Sequence, residues 1–360
     1  MNDRPINVLV VDDSSVARMH LVHLLESDPQ IRVVGAVGNG QSAVDFVGAR
    51  TTDVILMDIH MPGMDGFEAT RRIMESQPVP IIICTATTNI EEVATTFRVL
   101  EAGAVACVEK PAGREHASFE AVAANLLQTV KLMSEVKVVR RWPRSRFSTP
   151  PVPTPRPVGL APASTGIQIV GMGASTGGPP VLQSILTGLP KDFPVPVLIV
   201  QHITHGFLPG LVEWLNQTTG FKVQIATTGT RPLPGQVYLA ADGFQMGLGP
   251  SGCILLTKEE PENGLRPAVS YLFRSLAEVC GPNTVGVLLT GMGKDGAPEL
   301  KMIKDRGGIT IAQDRESSVV YGMPGEAVAL GGASHVLPAD KIADFLRTLA
   351  VQRNGKVNEL

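Results

Sequence analysis

The feature that most constrains the fold is a regular alternation of apolar runs and helical patterns in the first 130 residues. The run Val8–Val11 leads into a helical pattern that extends to Leu25, and four further apolar runs each lead into another helical pattern. Apolar runs that are joined by helices rather than by tight turns are typical of parallel strands covered on both faces. This alternation predicts an α/β domain built on a doubly wound parallel sheet over residues 1–128.

The chain from residue 166 to residue 355 shows the same alternation, which predicts a second, Rossmann-like domain of the same class. The predicted strands lie near Ile167, Val197, Val223, Val237, Ile254, Val285 and Ile309, and the predicted helices follow Pro180, Leu208, Pro267, Ala297 and Gly325. Prolines and arginines interrupt every regular pattern from about residue 140 to residue 165. We therefore expect the end of a helix and a solvated, semi-extended linker over residues 129–165.

Polar side chains follow several of the strands predicted in the first domain. They are Asp12 and Asp13 after the first strand, Asp58 after the third, Thr85 after the fourth and Lys110 after the fifth. Because parallel strands end at one edge of a sheet, we expect these groups to form one pocket. Three carboxylates repel one another unless a hard cation such as Mg²⁺ lies among them, and Asp58 could then attack a phosphoryl group. The alternative is that Asp12 or Asp13 only caps the following helix.

A second site is predicted where the run Ile167–Val170 leads into the glycine-rich segment Gly171–Pro179 and then into a helical pattern. Such a segment favours a tight turn, on which Ser175 would lie as an exposed nucleophile. His202 and Asp295 each follow another predicted strand, so the three side chains could meet at one edge of the sheet. The imidazole would take the serine proton, and the carboxylate would orient the imidazole. A phosphate-binding or purely structural turn is the alternative.

Two backbone amides are candidates for stabilising an oxyanion at this site. The amide of Thr176 directly follows the serine, and the amide of Met292 lies in a glycine-flanked turn that is expected to approach Ser175. His205, three residues after His202, is the competing candidate for the general base. The chain order serine, histidine, aspartate differs from that of α/β-hydrolases, in which the acid precedes the histidine.

Residues 1 to about 125 resemble a response-regulator receiver domain. The resemblance rests on the run Met57–Gly66 together with the acidic pair, the threonine and the lysine described above. It implies a flavodoxin-like (βα)5 fold and phosphorylation of Asp58 by a partner sensor histidine kinase. It also implies that Asp12, Asp13, Asp58 and the main-chain carbonyl of His60 hold Mg²⁺.

The resemblance further implies that Thr85 and Lys110 meet the new phosphoryl group and act as the receiver's switch. The chain departs from the family pattern at Cys107, three residues before the lysine. Such domains usually carry a tyrosine or phenylalanine there, which swings inward on phosphorylation. A different route of coupling is therefore expected here, in which Thr85 could still move.

The second domain resembles the catalytic domain of the chemotaxis-type protein-glutamate methylesterases. The resemblance implies that Ser175 is the nucleophile, His202 the general base and Asp295 the orienting carboxylate. It departs at Gln245, where relatives usually carry a histidine, so altered substrate contacts are expected. The matching segments are Gly173–Pro179, Gln201–His202, Arg266–Pro267, Thr290–Ala297, Ala312–Asp314 and Tyr321–Pro324.

The two resemblances together imply a hydrolase that demethylates glutamate methyl esters on methyl-accepting chemotaxis receptors, releasing methanol. They also imply deamidation of receptor glutamines at the same site, and a receiver that covers the site until it is phosphorylated. Two other functions stay open on the residues alone. One is a phospho-dependent adaptor with a non-catalytic esterase fold, and the other is an esterase for small molecules.

Composition limits the partners and the compartment. The chain has 31 basic and 34 acidic residues and a net charge of −3, which gives no bias toward nucleic acid. The four cysteines lack metal-ligand spacing, and free thiols fit a reducing compartment. No apolar run approaches 18 residues, so no membrane insertion is predicted. We expect a cytoplasmic monomer that needs no cofactor besides Mg²⁺ in the first domain.

Overall fold

The structure is a computed structural model that describes residues 4–86, 97–100, 102–113, 119–136, 138 and 166–354, the last four without side chains. Most of the predicted linker lies outside these residues, as does most of the helix predicted near Val93. In the part of the chain that is described, no helix is both long enough and apolar enough to cross a membrane.

The first domain alternates strands and helices as its sequence predicts. Its strands are β1 (Ile6–Val11), β2 (Ile31–Val37), β3 (Val54–Met57), β4 (Ile81–Thr85) and β5 (Ala106–Glu109). Its helices are α1 (Ser15–Glu26), α2 (Gly40–Ala49), α3 (Gly66–Ser76) and α4 (Phe119–Met133), and residues 97–100 are also helical.

These strands form one parallel sheet in the order β2-β1-β3-β4-β5, so the prediction of a doubly wound, flavodoxin-like sheet is confirmed. Every residue of β3 and β4 is buried because helices cover both faces of the sheet. The order reverses between β1 and β3, and ligand sites of such sheets lie at the carboxyl ends of the strands beside this reversal.

The second domain holds a larger sheet and a separate hairpin. Its strands are β6 (Ile169–Ala174), β7 (Val197–Gln201), β8 (Lys222–Ile225), β9 (Gln236–Leu239), β10 (Gln245–Leu248), β11 (Ile254–Thr257), β12 (Thr284–Leu288), β13 (Ile309–Gln313) and β14 (His335–Leu337). Its helices are α5 (Gly178–Gly188), α6 (Leu208–Thr219), α7 (Val269–Val279), α8 (Ala297–Asp305), α9 (Met323–Ala329) and α10 (Ala339–Asn354).

The larger sheet is parallel throughout and has the order β14-β13-β12-β6-β7-β9-β8. Strand β6 is central, and the chain builds one half of the sheet on each side of it. The order therefore reverses between β6 and β12, and the carboxyl ends of β6, β7 and β12 lie side by side. Ser175 follows β6 directly and His202 follows β7 directly, whereas Asp295 lies in the loop after β12.

The second domain differs from its sequence-based prediction in three places. The strand near Ile254 lies outside the main sheet and pairs antiparallel with β10, which was not predicted. The helix expected after Gly325 begins two residues earlier, at Met323. Strand β14 and helix α10 were also missed, because both lie beyond the last strongly apolar run and α10 has a low mean hydropathy.

Candidate active site and phosphorylation site

Ser175 lies on a tight turn between β6 and α5. The amide of Gly178 donates to the carbonyl of Ser175 at 2.9 Å, which closes a four-residue turn. Gly177 has φ 76° and ψ 0°, the values of the third residue of a type II turn, which favour glycine. Helix α5 begins at Gly178, so Thr176 belongs to the turn rather than to the helix.

His202 and Asp295 form a close pair beside this turn. The Nε2 atom of His202 lies 2.9 Å from Oδ2 of Asp295, although its N–H is not aligned as in a linear hydrogen bond. Asp295 is only 2% exposed. Its oxygens also accept the amides of Val269 at 2.6 Å and Ser270 at 3.2 Å, and the side-chain amide of Asn263 at 3.4 Å.

These donors decide the charge of Asp295. Burial on its own would raise the pKa of this carboxyl group, but the His202 imidazole and the donors of Ser270 and Val269 outweigh burial and hold the pKa below its usual value. Asp295 is therefore a carboxylate with a fixed position, which is what orienting an imidazole requires.

The two domains enclose a cleft of about 510 Å³, which we call the interdomain cleft. From the second domain its wall includes Ser175, Thr176, Gly177, His202 and Met292, and from the first it includes Leu100, Cys107, Asn125, Gln128 and Leu132. Among the described residues the serine hydroxyl makes no hydrogen bond to the imidazole, although both side chains line the cleft. Such contacts in enzymes often tighten only when substrate binds.

The predicted oxyanion donors also line this cleft. Within the described residues, neither the amide of Thr176 nor that of Met292 has a hydrogen-bond acceptor, so both are available to a ligand. Gly291, which precedes Met292, approaches the serine so closely that a side chain on it would lie 2.7 Å from the Ser175 Cβ atom. The turn around Met292 therefore reaches Ser175, as its sequence predicts.

His205 is in a different environment from His202. Its side chain is 89% exposed, and its Nδ1 atom lies 3.4 Å from Asp242. Asp242 also accepts the amide of Gly206 at 3.0 Å. The structure thus brings His202, rather than its competitor, beside Asp295.

Gln245 is not among the residues that line the interdomain cleft, so the structure gives no support for a direct contact with substrate. The side chain is fully buried, and it accepts the amide of Ala268 at 2.8 Å. It also donates to the carbonyls of Glu260 and Leu265, at 3.3 and 3.2 Å. Gln245 therefore fixes the segment 260–268 that carries Asn263 to Asp295.

Asn263 was not identified from the sequence as a site residue. It lines the interdomain cleft and is the one described residue other than glycine with a positive φ, 53°. The dipeptide Asn263-Gly264 is a turn signal that could have located it in a loop, but its contact with Asp295 spans 32 positions.

The acidic pocket predicted in the first domain is formed. One carboxylate oxygen from each of Asp12, Asp13 and Asp58 lies within 4.8 Å of the others. Lys110 Nζ lies 2.6 Å from Oδ2 of Asp12 and 3.1 Å from Oδ2 of Asp58, and only the second contact has hydrogen-bond geometry. Thr85 ends β4 and is buried at the same sheet edge.

The alternative role of Asp12 and Asp13 as helix caps is not supported. Ser14 is the residue that caps α1, because its hydroxyl accepts the amide of Ala17 at 3.3 Å. Asp12 accepts the amide of Ser14 with Oδ1 at 2.9 Å, and its Oδ2 faces the Lys110 ammonium at 2.6 Å. Three carboxylates this close together, with a single ammonium group beside them, fit a hard divalent cation.

Burial raises the pKa of Asp58 above its usual value, although the Lys110 ammonium acts in the opposite direction. The neighbouring Asp12 carboxylate adds a smaller increase. Asp58 is thus a crowded carboxyl group whose charged form would gain from a cation.

Both domains of the chain match known protein families. The family model described as CheB methylesterase matches residues 170–346, and the model of the response regulator receiver domain matches residues 8–119. A protein-glutamate methylesterase/protein-glutamine glutaminase of Nitrosospira multiformis is 53% identical over 97% of this chain and 98% of its own length. The chain belongs to the CheB methylesterase family.

Two further comparisons agree with membership of the CheB family. A protein of Syntrophus aciditrophicus with the same description, numbered 1, is 54% identical over 96% of this chain and 98% of its own length. The crystal structure of the Thermotoga maritima CheB methylesterase catalytic domain superposes with a TM-score of 0.50 and 41% identity. It covers 51% of this chain and all of that one. The resemblances inferred from the sequence motifs are confirmed.

Proposed function

We propose that this CheB-family enzyme hydrolyses glutamate methyl esters on methyl-accepting chemotaxis receptors and deamidates receptor glutamines at the same site. The observation that carries the proposal is the pairing of His202 with Asp295 beside the Ser175 turn. The near full-length relatives, which are described as methylesterases and glutaminases, support the substrate class. The receiver would occupy residues 1–128, the helix end and linker 129–165, and the catalytic domain 166–355.

The proposed mechanism is acyl transfer through Ser175. Because Nε2 of His202 faces Asp295, the nitrogen that remains for the serine proton is Nδ1. The serine oxygen attacks the side-chain carbonyl carbon, the imidazole takes its proton, and the carboxylate of Asp295 stabilises the imidazolium. The proton then passes to the leaving group, which departs as methanol from an ester or as ammonia from an amide. Water releases the glutamate by the same steps.

The amides of Thr176 and Met292 would hold the oxyanion of the tetrahedral intermediate. Both line the interdomain cleft, and both lack an acceptor among the described residues. Donors that are already aimed at the developing charge need no reorganisation, and loss of one such donor typically costs about 10²- to 10³-fold in turnover.

The receiver would inhibit the enzyme by covering this cleft. Receiver side chains, among them Leu100 and Gln128, form part of the wall of the cleft that Ser175 and His202 also line. A protein substrate would therefore reach Ser175 only after the domains separate. Their contact includes Phe97, which stacks on Trp214 with ring centroids 5.6 Å apart. It also includes Gln128, whose Nε2 lies 3.6 Å from Sδ of Met292.

Phosphorylation of Asp58 by a sensor histidine kinase would control the separation. Asp12, Asp13, Asp58 and the His60 carbonyl would hold Mg²⁺, which offsets the charge of the carboxylates and of the incoming phosphoryl group. Lys110, which already contacts Asp12 and Asp58, would bind a phosphoryl oxygen, and the Thr85 hydroxyl would bind another. The added charge at the ends of β4 and β5 would shift the receiver residues that line the cleft, such as Cys107 and Gln128.

Release of radiolabelled methanol from methylated receptors in membrane preparations tests the function. Wild-type protein is expected to release methanol and to do so faster with acetyl phosphate. A Ser175→Ala protein that retains most of the wild-type rate would rule out the mechanism. A wild-type protein that is inactive on a panel of methylated receptors, with and without acetyl phosphate, would rule out the substrate class.

A further inference from the structure

The turn that carries Ser175 contains two peptide groups whose orientation decides which atoms face the cleft. Type I and type II turns differ by a rotation of about 180° of the central peptide, the one that joins the second and third residues of the turn. For this turn the central peptide joins Thr176 to Gly177. The type II values of Gly177 define one of the two orientations.

A buried threonine hydroxyl holds this central peptide. Thr290 is fully buried, and its Oγ1 donates to the carbonyl of Thr176 at 2.9 Å. The same oxygen accepts the amide of Val320 at 3.0 Å, and the Val320 carbonyl lies farther away, at 3.3 Å. The carbonyl of Thr290 also accepts the amide of Ser175 at 3.0 Å. One residue thus holds both the amide of Ser175 and the peptide that joins Thr176 to Gly177.

The planarity of the peptide carries the effect across the turn. In a trans peptide the C=O and the N–H point in opposite directions. With the Thr176 carbonyl directed at Thr290, the N–H of Gly177 points away from Thr290, and Gly177 lines the interdomain cleft. This N–H has no acceptor among the described residues.

The preceding peptide is held in the same manner by a second buried side chain. Gln201 is 5% exposed, and its Nε2 donates to the carbonyl of Ser175 at 2.8 Å. The N–H of Thr176 therefore points away from Gln201 Nε2, and Thr176 also lines the cleft. Two consecutive carbonyls are thus held by buried side chains, and the two amides of the same peptides have no acceptor among the described residues.

We propose that Thr290 is a positioning residue that keeps the N–H of Gly177, rather than the C=O of Thr176, facing the substrate, and that this N–H is a further oxyanion donor. In the flipped orientation a carbonyl oxygen would approach the developing negative charge and repel it. This inference rests on the proposed acyl transfer at Ser175 and adds a residue to it.

Thr290→Val tests the proposal, because it keeps the size of the side chain and removes the hydroxyl. We expect kcat to fall by about 10²- to 10³-fold with KM within about threefold, since the lost donor acts on the transition state. Thr290→Ser should recover most of the activity because it restores the hydroxyl.

Thr310→Val is the matched control. Thr310 is also fully buried, donates to a carbonyl, that of Gly332, at 2.7 Å, and accepts an amide, that of Ser334, at 2.8 Å. It lies on β13 and does not contact the Ser175 turn. Its valine variant should lose comparable thermal stability and keep wild-type kcat.

Gly177→Ala tests the same peptide without altering Thr290, in case Thr290→Val does not fold. Residue 177 has a positive φ, which alanine disfavours, and the added methyl group would lie 2.6 Å from Val319 Cβ. The turn must therefore leave its type II form. We expect a similar loss of kcat.

The proposal is wrong if Thr290→Val keeps at least a third of wild-type kcat, if Thr290→Ser loses as much as the valine variant, or if Gly177→Ala is fully active. All of these are read in protein whose wild type releases methanol. An inactive wild type would instead count against the proposed function.

Discussion

Asp295 and Asp58 occupy equivalent places in the two domains, at the carboxyl ends of parallel strands beside the reversal of strand order, yet their surroundings are opposite. Asp295 accepts two main-chain amides and a side-chain amide and faces an imidazole. Asp58 lies among two other carboxylates and one lysine. The pKa is lowered at the first and raised at the second. One carboxylate is held in place and ionised by its donors, and the other lies where a cation would offset the charge of three carboxylates.

Loss of the nucleophile should have the largest effect on the catalytic side of this comparison. We expect Ser175→Ala and His202→Ala each to lower methanol release by about 10⁶-fold, since triad members elsewhere lose this much. His205→Ala is the control, because His205 is exposed and lies beside Asp242 rather than beside Asp295. Equal losses in His202→Ala and His205→Ala would break the assignment of the base.

Asp295→Asn should cost about 10⁴-fold in kcat, because an amide favours the wrong imidazole tautomer while keeping the geometry.

Asp58→Asn should instead abolish stimulation by acetyl phosphate. Asp45→Asn, an exposed change on α2 where Asp45 accepts a hydrogen bond from Gln41, should leave stimulation intact. Stimulation that survives in Asp58→Asn would remove the phosphorylation site from the account.

The contact between the domains can be tested at Phe97. Phe97→Ala removes the stacking on Trp214, and such aromatic pairs contribute about 0.5–1.5 kcal/mol beyond their buried area. Weakening the closed state by about 1.4 kcal/mol would raise unstimulated activity about tenfold. Phe46→Ala, on α2 and packed over β2, controls for loss of receiver stability. Unchanged or lower basal activity in Phe97→Ala would contradict inhibition by covering the cleft.

The smallest effects are expected in the pH dependence of stability, measured by urea unfolding without Mg²⁺. The pKa of Asp295 is lowered, so its contribution is present above the unfolded value of 3.8 and is lost as pH falls through the lower folded value. The pKa of Asp58 is raised, so folding loses stability as pH rises from 3.8 through the higher folded value.

Each asparagine variant should therefore flatten one side of the pH profile only. Asp295→Asn should remove part of the loss of folding stability below pH 3.8. Asp58→Asn should remove part of the loss of folding stability above pH 3.8. Mg²⁺ at 100 times its Kd should add about 2.7 kcal/mol to wild type, and less to Asp58→Asn. If both variants changed the same side of the profile, the contrast between the two sites would be wrong.

The positions of Ser175 and His202 could be predicted from the sequence because parallel strands have a fixed polarity. Ser175 and His202 directly follow apolar runs, so their position at one sheet edge follows from strand direction alone. Asp295 lies seven residues beyond β12, and only the glycine-rich loop around it suggested that it returns to the site. The parallel sheets followed from the βα alternation in the same way.

The supporting contacts could not be predicted, because they join residues that are far apart in the chain and carry no local pattern. Thr290 reaches Thr176 across 114 positions, and Gln245 holds a segment that begins 15 positions later. The hydrophobic pattern that buries Phe97 gives no hint that its partner is Trp214. The burial of Gln245 depends on the hairpin of β10 and β11, which the apolar pattern does not predict.

The most direct test of the central claim, that Ser175, His202 and Asp295 act as one unit, is the turnover of the Ser175→Ala/His202→Ala double variant beside the two single variants. If the serine proton passes to His202, the double variant should lose no more kcat than either single variant, about 10⁶-fold in each case. Losses that multiply in the double variant would show that the two residues act independently, and the account of the active site would then be wrong.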